Sequence, residues 1–130
     1  MSKWTHVNAS IRFDGLTNKT LPTKKELGIV CKYGDEDESR WENPDLPCGS
    51  EGSIDYRIIK NPDKDCVAAM VVVFWGDLRD YDNIDEILQY FERITMGRDI
   101  RSGILEIDVE FREILLYRYN QDTEKWVRFV

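Results

Sequence analysis

The chain has 130 residues, of which 25 are acidic and 18 are basic, so its formal net charge is −7. This length suits a single domain, and the hydrophobic share of 42% excludes a disordered chain. The longest uncharged run, Cys66 to Gly76, covers 11 residues, which is too short for the ~20 residues of a membrane-spanning helix. We therefore expect a cytoplasmic domain without a secretory signal, and the acidic balance argues against direct binding of nucleic acid.

The charge is unevenly distributed along the chain. Residues 1–34 carry a net charge of +4, residues 35–65 carry −6 and residues 66–130 carry −5. The middle third opens with four consecutive acids, Asp35 to Glu38, and their desolvation cost predicts a solvated loop. Two interpretations stay open for this run: a solubilising loop, and an acidic surface that docks on a basic partner.

The N-terminal half predicts one clear strand, over residues 5–13, in which apolar and polar residues alternate. Residues 14–52 are a long irregular acidic excursion, in which Thr23 can cap a short helix with Glu26 three residues later. The sequence leaves open whether residues 16–33 form a helix or strands. The apolar residues expected to fix the excursion to the core are Leu27, Ile29, Val30 and Trp41.

The second half predicts a hairpin, a helix and three further strands. Residues 53–61 and 66–75 form the hairpin, and the continuous apolar run of its second strand predicts burial on both faces. Residues 83–96 predict an amphipathic helix, capped by Asp82 or Asn83 and followed by Gly97. Residues 104–111 alternate, with Phe111 as the last inward side chain, and residues 113–119 and 125–130 form a C-terminal hairpin.

The order strand, short helix, strand, strand, helix, strand is the ferredoxin-like split βαβ pattern. We therefore expect one α+β domain with an antiparallel sheet of five to six strands. One main amphipathic helix covers one face of this sheet, and the C-terminal hairpin extends it. The opposite face is expected to carry His6, Asn8, Ser10, Arg12, Asp55, Arg57, Glu106, Asp108 and Glu110.

No set of side chains typical of an enzyme stands out. Cys31, Cys48 and Cys66 are widely spaced and His6 is the only histidine, so we expect reduced thiols, no metal site, no cofactor and no catalytic residues. The expected open face has no row of aromatic residues, which disfavours RNA binding there. The four tryptophans are spread along the chain, which favours core and edge packing over an aromatic cage.

Two loops are candidates for recognition. Residues 76–83, Gly-Asp-Leu-Arg-Asp-Tyr-Asp-Asn, precede the helix; they allow helix capping with a local Asp–Arg pair, a recognition loop, or a metal site of Asp77, Asp80 and Asp82. The metal site lacks the glycine and glutamate of an EF-hand. Residues 48–53 are rich in Gly and Ser without the lysine of a phosphate-binding loop, so they form a turn or a close contact with a ligand or partner.

Three stretches carry a resemblance: Trp4-Thr5-His6-Val7-Asn8 before Ile11-Arg12, Gly49 to Ser53, and Gly76 to Asn83, together with Ile100-Arg101. They are similar to a group of small uncharacterised proteins encoded by bacteriophages and prophages. The resemblance covers most of the chain apart from the acidic excursion. It implies a phage-encoded accessory protein that acts inside a bacterium, and it carries over no catalytic residue.

Three functions follow as hypotheses. The first is a non-enzymatic inhibitor, anti-CRISPR-like or otherwise anti-defence, that binds a host or defence protein with a basic surface. Its partner-binding residues would be Asp35, Glu36, Asp37, Glu38, Glu106, Asp108 and Glu110. The second is a protein that sequesters a small ligand such as a nucleotide signal. Its ligand-binding residues would be Asn8, Arg12, Arg57, Asp77, Arg79, Asp80 and Arg101. The third is a phage structural or assembly protein that forms homo-oligomers through exposed strand edges.

Overall fold

A computed structural model describes residues 2–15, 21–35, 41–60 and 69–130. Its elements are β1 (Trp4–Asp14), α1 (Lys24–Leu27), β2 (Cys48–Gly49), β3 (Gly52–Ser53), β4 (Asp55–Lys60), β5 (Ala69–Arg79), α2 (Ile84–Thr95), β6 (Ile100–Val109), β7 (Glu113–Asn120) and β8 (Lys125–Arg128). Six strands form one sheet in the order β4-β5-β1-β6-β7-β8, and β2 pairs with β3 apart from it. Every strand pair is antiparallel. The predicted α+β class with an antiparallel sheet is confirmed.

Strand β1 lies at the centre of this sheet. It pairs with β5 on one side and with β6 on the other. Because both neighbours are antiparallel to β1, β5 and β6 are parallel to each other, and α2 lies in the connection between them. By the same reasoning β1 and β4 are parallel, since both are antiparallel to β5.

Helix α2 covers one face of the sheet because its apolar residues fall on one side. Asn83 caps the helix, its side-chain oxygen accepting the backbone N–H of Glu86 at 3.3 Å. Phe91 is fully buried, and its ring stands edge-on to those of Phe74 and Trp126 at 5.0 and 6.0 Å. This aromatic cluster joins α2 to β5 and β8, so the core lies between the helix and the sheet.

The excursion is held against the same face as α2. Thr23 and Glu26 form the predicted capping box of α1. Leu27 is fully buried, and its carbonyl accepts the hydroxyl of Tyr90 at 2.7 Å. The prediction for Ile29 is wrong, because this side chain is 57% exposed; the positive φ of Gly28 turns the chain away from the core before it.

Several further predictions about the strands are wrong. Strand β5 continues to Arg79, and its second face is not buried, since Trp75 is 44% exposed. The reason is that α2 and the excursion cover only one side of the sheet. Phe111 does not point inward; it is 75% exposed in the turn after β6, with a φ of +64°. Strand β6 also begins earlier than expected, at Ile100.

Candidate functional site

The side of the sheet opposite α2 has no covering element among the described residues, and we call it the open face. Strand registers place its side chains in rows across the sheet. The central rows run over Asn8 and Ser10 of β1, two small residues that leave a shallow groove between β5 and β6. Together the open face carries His6, Asn8, Ser10, Arg12, Asp55, Arg57, Ile59, Val71, Val73, Trp75, Asp77, Ser102, Ile104, Glu106, Asp108, Ile114, Leu116, Arg118 and Val127.

Large apolar side chains are exposed along this face. Trp75 and Ile104 stand on either side of the groove, 44% and 50% exposed. Ile114, Val127 and Phe129 extend the patch toward the C-terminal strand, each about half exposed. We call these five residues the apolar strip. A strip of this kind, bordered by charged residues, is typical of protein-interaction surfaces.

The charges on the open face are separated into two ends. The rows through His6 and Asn8 carry four acidic residues. We call these four residues, together with Glu110, the acidic end: Asp55, Asp77, Glu106, Asp108 and Glu110. The rows through Ser10 and Arg12 carry the arginine end: Arg12, Arg57 and Arg118. None of these three arginines forms an ion pair with another residue in the part of the chain that the structure describes. The open face therefore presents opposite charges to a partner at its two ends.

His6 joins three elements at the acidic end. Its Nδ1 lies 2.6 Å from Oδ1 of Asp77 on β5, and its Nε2 lies 2.8 Å from Oε2 of Glu110 after β6. The hydrogen bonds to Asp77 and then to Glu110 raise the pKa of His6 above its usual value of 6.5. Since both ring nitrogens are occupied, His6 stabilises the sheet and offers no free nitrogen for proton transfer to a substrate.

The predicted partner-binding acids fall into two places. Glu106 and Asp108 lie half-buried on the open face, and Glu110 bonds to His6. Asp35 lies in the excursion, where its carboxylate accepts the backbone N–H of Lys32 at 2.8 Å. The other three acids of that run, Glu36, Asp37 and Glu38, lie outside the described residues.

The predicted ligand-binding residues do not form one site. Arg79 pairs with Glu51 at 2.9 Å, and Asp80 lies beside it at the end of β5. Arg101 pairs with Asp14 at 2.7 Å, near the opposite end of β1. At ~3.3 Å per strand residue, these two ends are about 30 Å apart. Asn8 and Asp77 lie between them on the open face with Arg12 and Arg57, so the structure does not bring all seven residues together.

The two candidate loops have structural uses. Residues Gly76 to Arg79 belong to β5 rather than to a loop, and the local pair joins Arg79 to Asp80 at 3.7 Å. Gly49 packs on the backbone of β5, since a β-carbon there would lie 2.7 Å from the nitrogen of Arg79. In the described part of the chain, no three His, Cys, Asp or Glu side chains are grouped to hold a metal ion. Cys48 is a free thiol and Cys31 is buried, and Cys66 lies outside the described residues.

Sequence reasoning missed the apolar strip. The three valines of β5 suggested burial on both faces, whereas Val71, Val73 and Trp75 point to the open face. One signal was present: Asp77 and Arg79 follow in the same phase, and charged residues in that phase indicate an exposed face.

Comparison of this chain with protein-family models, curated proteins and solved structures finds no match. The resemblance to phage-encoded proteins therefore stays a prediction. Over the residues that the structure covers, none of the helices has the length and apolar character to cross a bilayer.

Proposed function

We propose that this chain is a non-enzymatic binding protein that docks on another protein through the open face. The observation that carries the proposal is the apolar strip, with Trp75 and Ile104 exposed at the centre of the sheet. Burying such side chains against a partner is favourable, roughly 25 cal/mol for each Å² removed from water. The acidic end on one side calls for a partner with basic residues beside its apolar contact.

The class of partner follows from the resemblance to phage-encoded proteins. We propose a host or defence protein whose basic surface is blocked by this chain, acting in the bacterial cytoplasm. The acidic end supports this choice, because it would compete with nucleic acid for a basic surface. Binding of this kind weakens as salt is added, since exposed charges are screened over about 10 Å at 0.1 M salt.

The test compares two isoleucines of similar exposure. Ile104 lies in the apolar strip and Ile29 lies in the excursion, 50% and 57% exposed. Immobilised protein recovers a partner from host lysate, and the purified partner is then titrated calorimetrically with both variants. We expect Ile104→Glu to abolish binding and Ile29→Glu to leave it unchanged. Equal binding by the two variants, or loss with both, would contradict docking through the open face.

A second candidate function is binding of a small anion at the arginine end. A cavity of about 440 Å³ lies there, lined by Arg101, Arg118, Ser102, Asn120 and Phe129 among others. Arginine recognises phosphate bidentately, and an exposed aromatic ring can stack on a base. A thermal-shift screen with cyclic nucleotides and ADP-ribose derivatives tests this: a shift that Arg118→Ala removes supports it, and no shift at millimolar ligand excludes it.

We also infer a ferredoxin-like arrangement for the central strands. The support is that β1 and β4, and likewise β5 and β6, are parallel pairs with one strand between them and a helix in each connection. In chain order, α1 and the β2–β3 pair lie between β1 and β4, where the pattern has its first helix. This arrangement does not by itself indicate function.

A further inference from the structure

A cavity of about 420 Å³ opens at the acidic end, where β5 extends beyond the edge strand β4. Three aromatic side chains line it, Trp4, Tyr33 and Trp75, and we call it the aromatic pocket. They come from β1, the excursion and β5, so only the folded chain brings them together. The remaining lining residues are Glu51, Ser53, Asp55, Gly76 and Asp77.

The aromatic rings of the pocket are available to a ligand. Trp75 is 44% exposed, and Tyr33 is 77% exposed. The Tyr33 hydroxyl makes no hydrogen bond within the described part of the chain. The excursion nevertheless holds this residue in place, because its neighbour Lys32 forms a β-bridge with Gly52. Because Tyr33 stays exposed to water, its burial contributes little to the stability of the fold. Its position beside two tryptophans suits the recognition of a ligand.

The carboxylates of the pocket leave an excess of negative charge. Glu51 is paired with Arg79 at 2.9 Å, and Asp77 is paired with His6 at 2.6 Å. Asp55 accepts the backbone N–H of Tyr56 at 2.7 Å and has no cationic partner among the described residues. Aromatic faces together with a carboxylate that lacks a counter-ion attract an organic cation.

We propose that the aromatic pocket binds an arginine side chain of a partner protein, an inference that rests on the proposed protein-binding function. The planar guanidinium stacks on an aromatic ring with its flat face while its N–H groups bond to a carboxylate. Trp75 offers the ring and Asp55 the carboxylate, and the two residues are direct partners across β4 and β5. Lysine, a compact and strongly hydrated charge, uses such a flat surface less well.

The test uses N-acetyl-arginine amide as the probe and N-acetyl-citrulline amide as its neutral isostere. The full chain is titrated at low salt while the backbone and indole N–H resonances are followed by NMR. We expect saturable shifts at the pocket residues with arginine amide and none with citrulline amide. Trp75→Leu and Asp55→Asn should each weaken binding about tenfold. The control Glu92→Gln, an exposed position on α2, should bind as the wild type does.

Several outcomes overturn the inference. Equal shifts with citrulline amide would show that charge is not recognised, and equal affinity for N-acetyl-lysine amide would remove the preference for arginine. Unchanged affinity in Tyr33→Ala, Trp75→Leu and Asp55→Asn would place the probe elsewhere. A failed titration together with partner binding that depends on Ile104 leaves the proposed function standing. If arginine amide binds but partner binding is unchanged by Ile104→Glu, docking through the open face is overturned and arginine binding by the aromatic pocket stands.

Discussion

His6 is a residue whose ionisation is coupled to the fold. In the folded chain its pKa is raised above 6.5 by hydrogen bonds to Asp77 and Glu110, and Asp108 is its register partner on β6. At pH values between the unfolded and folded pKa, His6 is protonated in a larger fraction of folded molecules than of unfolded molecules. The stabilisation from His6 is therefore complete below the unfolded pKa and is lost as the pH rises through the folded pKa.

We therefore predict that the stabilising effect of His6 decreases with pH. Urea unfolding of the wild type and of His6→Gln measures it, and the difference in free energy of unfolding should be larger at pH 5.5 than at pH 9. Because His6 is the only histidine, its ring Hε1 resonance is unambiguous and gives the folded pKa directly. A resonance that titrates below 6.5, or a difference that grows toward pH 9, would contradict the prediction.

Gly76 is required by a close approach between β5 and the residue that connects β3 to β4. A β-carbon at this position would lie 2.7 Å from Cα and 2.8 Å from Cγ2 of Ile54. Since the nearer atom belongs to the backbone, the chain at Ile54 must move away from β5 to admit a methyl group. We expect Gly76→Ala to lower the free energy of unfolding by about 1–3 kcal/mol.

Urea unfolding checks this, with Asn8→Ala as an exposed control on the neighbouring strand. The control should stay within about 0.5 kcal/mol of the wild type. The double variant Gly76→Ala with Ile54→Val should remain destabilised, because valine keeps both Cα and Cγ2. Full rescue by valine would mean that the clash lies with the end of the side chain.

At the scale of the element, α2 depends on its cap as well as on its apolar face. Asn83 accepts the N–H of Glu86 at 3.3 Å through its side-chain oxygen. We expect Asn83→Ala to cost about 1 kcal/mol, since one of the first-turn N–H groups loses its partner. Asn83→Asp keeps an acceptor and should cost less; thermal or urea unfolding separates the two. Equal losses would show that the cap oxygen does not matter.

The predictability of each element depended on how local its determinants are. The helix α2 and the capping box at Thr23 follow from spacings of three and four residues, and both were predicted. The exposure of the second face of β5 was not predicted, because a continuous apolar run has no polar residues to show which side chains face solvent. The convergence of Trp4, Tyr33 and Trp75 depends on the strand order and on the path of the excursion, which link residues distant in sequence.

At the scale of the whole molecule, the net charge of −7 hides a surface with two opposite ends. Along the sequence, negative charge is most concentrated in residues 35–65, whose net charge is −6. Strand pairing instead gathers acids from β4, β5 and β6 at one end of the open face, and leaves arginines of β1, β4 and β7 at the other. The pairing register of the strands therefore determines where positive and negative side chains collect on the open face.

The two faces of the sheet can be tested with neighbouring residues of one strand. Ile104 is 50% exposed and Leu105 is fully buried, although they are consecutive on β6. We expect Ile104→Asp to change the free energy of unfolding by less than about 0.5 kcal/mol, as surface substitutions do. Leu105→Asp should abolish folding, because it leaves a charge buried without a partner. Circular dichroism and urea unfolding measure both. Severe destabilisation by Ile104→Asp would mean that the protein covers this face itself, and the open face would then be closed to any partner.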